Sequence, residues 1–561
     1  MDKTCVKCDA MFEITKDELD IIDTISPEFN GKKYSIPPPT HCPVCRSQRR
    51  LAFRHERGLH RRTCDHSGKS MVTTYSPDKP FTIYHSDAWW GDDWNGLDYG
   101  RDYDFSRPFF DQINDLWHEV PLIGLWLIES ENSDYNTNCF QLKDCYMCAN
   151  SDFGQNYIYG YCVERSKDVT DCAFLHECEV CYECVDCWQS YNCKFSQDLR
   201  NCSDCMFSSE LTGCKYCFGC HGLRQKKYCI YNEEVGEVKW NKHMQDQLET
   251  WDAIEEAKQT SRKLSLQIPK PALHMINCED SVGDHLYNCR DVQDCFDVRD
   301  GERMRYGAYN VMRSQHLIDS YAAGGIQWAY EYMGGGVSVS TVAFILNCAN
   351  GLSDSYYCIL GVNGSHHLFG CVSPKKQSYC ILNKQYSEDQ YNDLVPKIIE
   401  HMRSTGEWGE YFPSSISPYG YNEVLAQEKY PLAKEQALQE GFRWTDIPEK
   451  ETHAERTIPA EKLPERIERI PDDVLNWAIV CKETGNPFKI QKQELNFYRS
   501  QNLPLPRIHP DRRHENRIAL RNPQKLYSRT CQKCQKAIQT TYSPDRPEIV
   551  YCEECYLKEV Y

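Results

Sequence analysis

The chain has 561 residues, a formal net charge of −18 and 33 cysteines. Its length implies several domains, and its acidic balance argues against general nucleic-acid binding. No apolar run of about eighteen residues offers a membrane span and no signal-peptide pattern opens the sequence, so the expected setting is a reducing cytoplasm in which disulfides are disfavoured.

The first chemistry in the chain is a pair of CxxC knuckles, Cys5-Val-Lys-Cys8 and Cys42-Pro-Val-Cys45. Four thiolates in two such turns match a tetrahedral structural zinc site; disulfides or four unrelated buried cysteines are the competing readings. A second unit follows in which only Cys64 remains, with His66, His85 and Asp87 as the residues that could rebuild a site around it. Between the units CRSQRRLAFRHERGLHRRTC, from Cys45 to Cys64, reads as a basic helix carrying Arg46, Arg49, Arg50, Arg54 and Arg57. Such a helix either grips phosphate or answers acidic groups elsewhere in the protein. Trp89, Trp90 and Trp94 stand among aspartates, an arrangement suited to packing one domain on the next or to a sugar or peptide platform.

All twelve cysteines between Cys172 and Cys229 lie at multiples of three from one another, and Cys181, Cys193, Cys205, Cys217 and Cys229 mark a period of twelve. That column contains otherwise mainly Leu and Ser, while Asp, Glu, Asn, Gln, Lys, Tyr and Phe fill the positions between. A step of three fits neither an α-helix nor a flat strand, and long 3₁₀ helices are rare. The pattern predicts a narrow β-solenoid with a coil of twelve or twenty-four residues. The five cysteines would then form one inward column, and Tyr182, Lys194, Met206, Phe218 and Ile230 a parallel row. Cysteine suits such an interior as a small hydrophobe. Cys178, Cys181, Cys184 and Cys187 imitate a ferredoxin-type motif but lack its final gap and proline, and the repeat already explains them.

A second, decayed array includes Leu286, Cys289, Val292, Cys295 and Val298. It closes on FGCVSPKKQSYCILN, which repeats FGCHGLRQKKYCIYN at the end of the first array, and each copy leads into a polar stretch expected to be a capping helix. Gly334-Gly335-Gly336 reads as a bend and His366-His367 as surface.

The C-terminal end mirrors the first. Cys531-Gln-Lys-Cys534 and Cys552-Glu-Glu-Cys555 form a second complete set, while the unit before it keeps Cys481 but has Thr484, His509 and Arg512 where the first unit has Cys8, Cys42 and Cys45. Its connecting segment, with Arg512, Arg513 and Arg517, is again basic. Together with CPVCRSQRR, YSPDKPFTIYHSDAWWGDDW, GRDYDFSRPFF, ENSDYN, GEWGEYFP and TTYSPDRPEIVYCEECYLKEVY, these strings resemble an uncharacterised family of cysteine-rich, zinc-ribbon-containing proteins of small-genome uncultivated bacteria. The resemblance implies zinc at the eight terminal cysteines and a bacterial cytoplasm, and supplies no substrate.

The expected fold is mainly β: cysteine-rich narrow β-solenoid modules with capping helices, flanked by small zinc-ribbon-like domains at both termini. The expected boundaries are tandem zinc-ribbon-like units at 1–95, a Trp/Asp-rich connection at 96–130, solenoids at 131–266 and 272–405, a Pro/Glu-rich linker at 406–473 and a second tandem at 474–561. No catalytic constellation stands out, so the favoured function is a non-enzymatic scaffold with two structural Zn²⁺ ions that offers an elongated acidic solenoid face to a protein partner. The alternatives are RNA or ribosome association through the arginines, and thiol redox or metal handling by the central cysteines.

Overall fold

The computed structural model describes residues 1–561 except 246, 311–313, 322–324, 337, 350, 447–453, 455 and 561. The linker expected over 406–473 therefore lies partly outside the described residues. The chain forms two compact units, each built from non-contiguous stretches. One comprises Met1–Leu125, Leu273–Asp446 and Gln524–Leu526; the other comprises Trp126–Ala272, Ile447–Pro523 and Tyr527–Tyr561. Each unit joins one β-solenoid to one terminal module.

The step of three has a backbone cause. From Asp168 to Glu210 every third residue has a positive φ, between 47° and 58°. A single left-handed residue turns the chain, the residue after it points inward, and the next one pairs with the neighbouring coil. Four such corners close a coil of twelve. The register settles coil length, since Val169 pairs with Cys181, Cys205 with Cys217 and Cys217 with Cys229 in parallel ladders. The outer row follows, with Tyr182 beside Lys194, Lys194 beside Met206, Met206 beside Phe218 and Phe218 beside Ile230. Non-glycine residues pay roughly 1–2 kcal/mol to adopt this conformation, so the ladders and the closed interior must offset a recurring strain. Asn and Asp, which tolerate it best, occupy many of the corners.

The inward residues fall into four columns, one per side. Leu175, Leu199, Leu211 and Leu223 all belong to the same column, and the other three hold mainly Cys and Ser. The narrow interior thus admits one branched side chain per coil and small ones elsewhere. Cys and Ser interchange because both bridge coils. Cys184 N–H donates to Cys172 Sγ at 3.3 Å, Ser208 N–H to Ser196 Oγ at 3.1 Å and Cys220 N–H to Ser208 Oγ at 3.0 Å. The same groups donate to the carbonyl two residues back, as Cys187 Sγ does to Val185 O at 3.3 Å and Ser208 Oγ to Met206 O at 2.8 Å. Buried corner amides are satisfied in this way. Burial also holds the Cys187 thiol well above its ordinary range, as it does that of Cys178.

The solenoid of the other unit runs from Met275–Ile276 to Ser378–Ile381. Its offsets vary: Met275 pairs with Leu286, Val292 with Met304 and Met304 with Leu317, steps of 11, 12 and 13. Larger side chains, including Met304, Leu317, Ile326 and Tyr332, fill this interior. Inserted residues and a wider core are why the period fades in the sequence. Gly334, at φ 86°, meets Asn347 so closely that a Cβ would lie 2.0 Å from its Oδ1, which fits the expected bend.

Both solenoids finish in a short antiparallel turn followed by a helix, Glu237–Met244 in one and Glu388–Thr405 in the other. Ser387 and Gln390 form a capping box on the second. Trp251–Ser265 then lies along the outer row of the first solenoid, where Ile254 and Ala257 join a core with Tyr182, Met206 and Phe218.

Candidate metal centres

The N-terminal set is built by a hairpin and a helix. Asp2–Thr4 pairs with Met11–Glu13, and the turn between them is the first knuckle. Cys5 N–H donates to Ala10 O at 2.9 Å and Asp9 N–H to Cys5 O at 3.0 Å, with Asp9 at φ 58°. Val6 N–H reaches Thr40 O at 3.2 Å and ties this turn to the second knuckle, where Cys42 immediately precedes the helix Pro43–Leu51. Ligand atoms of Cys5, Cys8, Cys42 and Cys45 all lie within 4.8 Å of one another. At the other end Cys531, Cys534, Cys552 and Cys555 meet the same limit. The turn chemistry repeats: Cys531 N–H donates to Lys536 O at 2.8 Å, Gln535 N–H to Cys531 O at 2.9 Å, and Gln535 has φ 63°.

Within each set the electrostatics divide the four sulfurs: part of the set is brought down, while Cys8 and Cys45 in the first set and Cys552 and Cys555 in the second are pushed up. A hydrogen bond from Cys45 is the main influence that brings the Cys42 thiol down to about 5. Burial opposes ionisation of Cys531, but the N–H groups of Cys534, Cys552 and Lys533 outweigh it and bring that thiol to about 6. Deprotonated sulfur in a closed set of four is what a tetrahedral metal ion requires, and such a set leaves no protein-free coordination position for a substrate. Polar ties also hold these tips: Lys7 Nζ donates to Gln48 Oε1 at 2.8 Å, and Val550–Tyr551 pairs with Lys270–Pro271. The apolar cluster around the first set is Cys5, Cys42 and Cys45 with Phe12, and the one beside the second is Ala272, Tyr542 and Val550 with Ile538.

The inner units keep the knuckle without the ligands. Cys64 Sγ accepts N–H groups from Ser67 at 3.4 Å and His85 at 3.2 Å. Cys481 Sγ accepts them from Thr484 at 3.5 Å and His509 at 3.2 Å. His66 instead faces Asp93 at 3.8 Å and His85 faces Asp87 at 3.5 Å. Neither Cys64 nor any central cysteine enters a metal-competent group among the described residues, so the stacked thiols of the solenoid form a core and not a preassembled cluster.

The basic helices turn most of their arginines inward onto acidic residues. Arg46 Nε donates to Asp319 at 2.5 Å, Arg50 pairs with the same carboxylate at 3.2 Å, and Arg49 Nε donates to Glu331 at 2.8 Å. In the other unit Arg517 meets Asp171 at 2.7 Å, and Arg513 meets Asp171, Glu494 and Tyr498. Of the eight arginines named for RNA, six (Arg46, Arg49, Arg50, Arg54, Arg513 and Arg517) are buried. Arg57 and Arg512 are half-buried, and Arg512 is paired with Glu483 and Glu515. Desolvated guanidinium groups matched to carboxylates are unavailable to phosphate. The two clamps are copies: Arg46 stacks over Tyr306 at 5.3 Å as Arg513 does over Tyr159 at 5.0 Å.

Asp171, Asp319, Glu331 and Glu494 were not singled out by sequence reasoning. Asp171 and Asp319 each occupy a left-handed corner just ahead of a small inward residue. Several other aspartates share that pattern, so it carries no distinguishing mark. The tryptophans are structural in their contacts: Trp89 is buried and donates to Pro121 O at 3.0 Å, and Lys375 lies 4.2 Å over Trp94. No helix among the described residues is long and apolar enough to cross a membrane.

The chain is thus a cysteine-rich β-solenoid protein with two tetra-cysteine groups near its termini. No protein-family model, no curated protein and no solved structure matches it.

Proposed function

We propose that the protein is a zinc-stabilised structural scaffold whose solenoids present a repetitive surface to a protein partner. The observation that carries this reading is the pair of closed four-cysteine sets, each at the tip of a module with a small apolar core of its own. Zinc is favoured because four thiolates in tetrahedral knuckles suit a redox-inert d¹⁰ ion, and such sites supply folding free energy directly. The clamps support a scaffold as well, since they spend charged side chains on holding a module to a solenoid.

The surface offered is a row with coil spacing, Glu131, Lys143, Gln155, Lys167, Glu179, Tyr191, Ser203, Lys215 and Lys227, exposed except at the half-buried Gln155 and Ser203. Residues one coil apart stand about 4.8 Å from each other, so a partner with an extended, strand-like segment carrying acidic groups would find the four lysines of the row at matching positions. An affinity pull-down with the native chain, repeated with Lys143, Lys167, Lys215 and Lys227 changed to Glu, tests the assignment. A partner retained equally by both proteins would place the interaction elsewhere.

A further inference from the structure

The two clamps are equivalent in geometry, yet only one grows from a complete cysteine set. Helix Pro43–Leu51 contains Cys45 and is preceded by Cys42, and Arg46, Arg49 and Arg50 follow on its next turn. Its N-cap residue, Cys42, makes no side-chain capping hydrogen bond. The start of this helix is therefore held where a metal would join it to Cys5 and Cys8.

The counterpart helix Pro510–Ile518 dispenses with metal in three ways. His509 takes the place of Cys42 and caps the helix, accepting Asp511 N–H at 3.1 Å. Arg512 takes the place of Cys45 and pairs with Glu483 on the opposite knuckle at 2.8 Å. That pair is solvent-accessible, and accessible pairs contribute little. The third difference lies at the knuckles themselves. Cys481 belongs to one continuous core with the solenoid, including Val474, Trp477, Ile479, Phe488, Leu495 and Tyr498, whereas Cys5, Cys42 and Cys45 form a small separate cluster with Phe12, and the apolar packing of their unit, through Leu51 and Phe53, begins at the far end of the helix.

We infer that the set Cys5, Cys8, Cys42 and Cys45 is a metal-operated latch: metal there keeps Arg46, Arg49 and Arg50 seated on Asp319 and Glu331, while the clamp of Arg513 and Arg517 on Asp171 closes without metal. This rests on the reading that the four-cysteine sets hold metal. Asp319 and Glu331 are fully buried, so release of the helix would leave two carboxylates without counterions and open the coils that carry them. The latch makes unit-specific loosening a response to zinc depletion.

Hydrogen–deuterium exchange on the full chain, with and without a strong zinc chelator, is the test. Exchange at Pro43–Leu51 and at Gln315–Tyr321 should quicken by about tenfold or more on chelation, while Pro510–Ile518 and Lys167–Thr170 stay unchanged. A gain-of-site variant, T484C/H509C/R512C alongside Cys481, should bind one additional zinc and make exchange at Pro510–Ile518 chelator-sensitive. If chelation strips metal from the wild type yet Gln315–Tyr321 is unmoved, the latch is wrong and the metal sites stand. Equal loosening of both clamps also overturns it. If the chain neither carries nor takes up metal, the latch and the scaffold reading fall together.

Discussion

Changing Asp171 to Asn removes the charge at the centre of one clamp without altering its shape. Asp171 and both arginines are almost wholly inaccessible, at 0%, 3% and 4% side-chain exposure. No cavity forms, so the cost is electrostatic. Arg513 keeps Glu494 and Tyr498, but Arg517 loses its carboxylate and remains buried as an unpaired cation. Breaking a buried pair from one side costs about 3–5 kcal/mol, and the retained partners of Arg513 favour the lower end. With a urea slope of about 2–3 kcal/mol per molar, the midpoint of the affected transition should fall by roughly 1–2 M. Urea unfolding followed by exchange at Lys167–Thr170 reads the correct unit. A loss below about 1 kcal/mol, typical of exposed pairs, would mean that these guanidinium groups reach water and that the clamp is not dry. Replacing Asp171, Arg513 and Arg517 together by apolar residues should cost less than the single change.

Cys205 to Ser should be nearly neutral, because Ser already bridges coils at 190, 196 and 208, whereas Cys205 to Phe should overpack the interior by about 1–3 kcal/mol or more; thermal unfolding distinguishes them, and equal losses would contradict the narrow core. His221 is buried, accepts from Ser209 Oγ at 2.8 Å, and burial drives its pKa down to about 3. Because the unfolded chain takes up this proton first, near about pH 6.5, the contribution of His221 is complete above that value and is lost as pH falls toward 3. The stability of His221→Gln should accordingly change less between neutral and acid pH than that of the wild type, by a few kcal/mol, and parallel profiles would refute the buried neutral imidazole. RNA titration at low salt should show no binding with a slope near zero; a steep slope that Arg57→Gln reduces by about one unit would restore the nucleic-acid reading.

The coil was legible because its constraint recurs: every third residue from Cys172 must be small or fit the single Leu column, and a turn before each one leaves the same mark in the sequence. Coil length was not, since twelve- and twenty-four-residue coils impose identical patterns, and only the pairing of Cys205 with Cys217 separates them. The terminal cysteine sets were legible from local spacing. The clamps were not. Arg46 and Asp319 lie 273 positions apart, and a basic helix seen alone looks the same whether it meets phosphate or buried carboxylates. The assembly of each unit from distant stretches left no local pattern for the same reason.

The metal content of the native protein decides most directly whether the terminal cysteine sets are structural zinc sites. Elemental analysis of the chain purified without added metal should find two zinc ions per molecule, one for each complete set, and no visible absorbance. Absence of bound metal, four or more ions per chain, or iron with a visible chromophore would contradict that assignment.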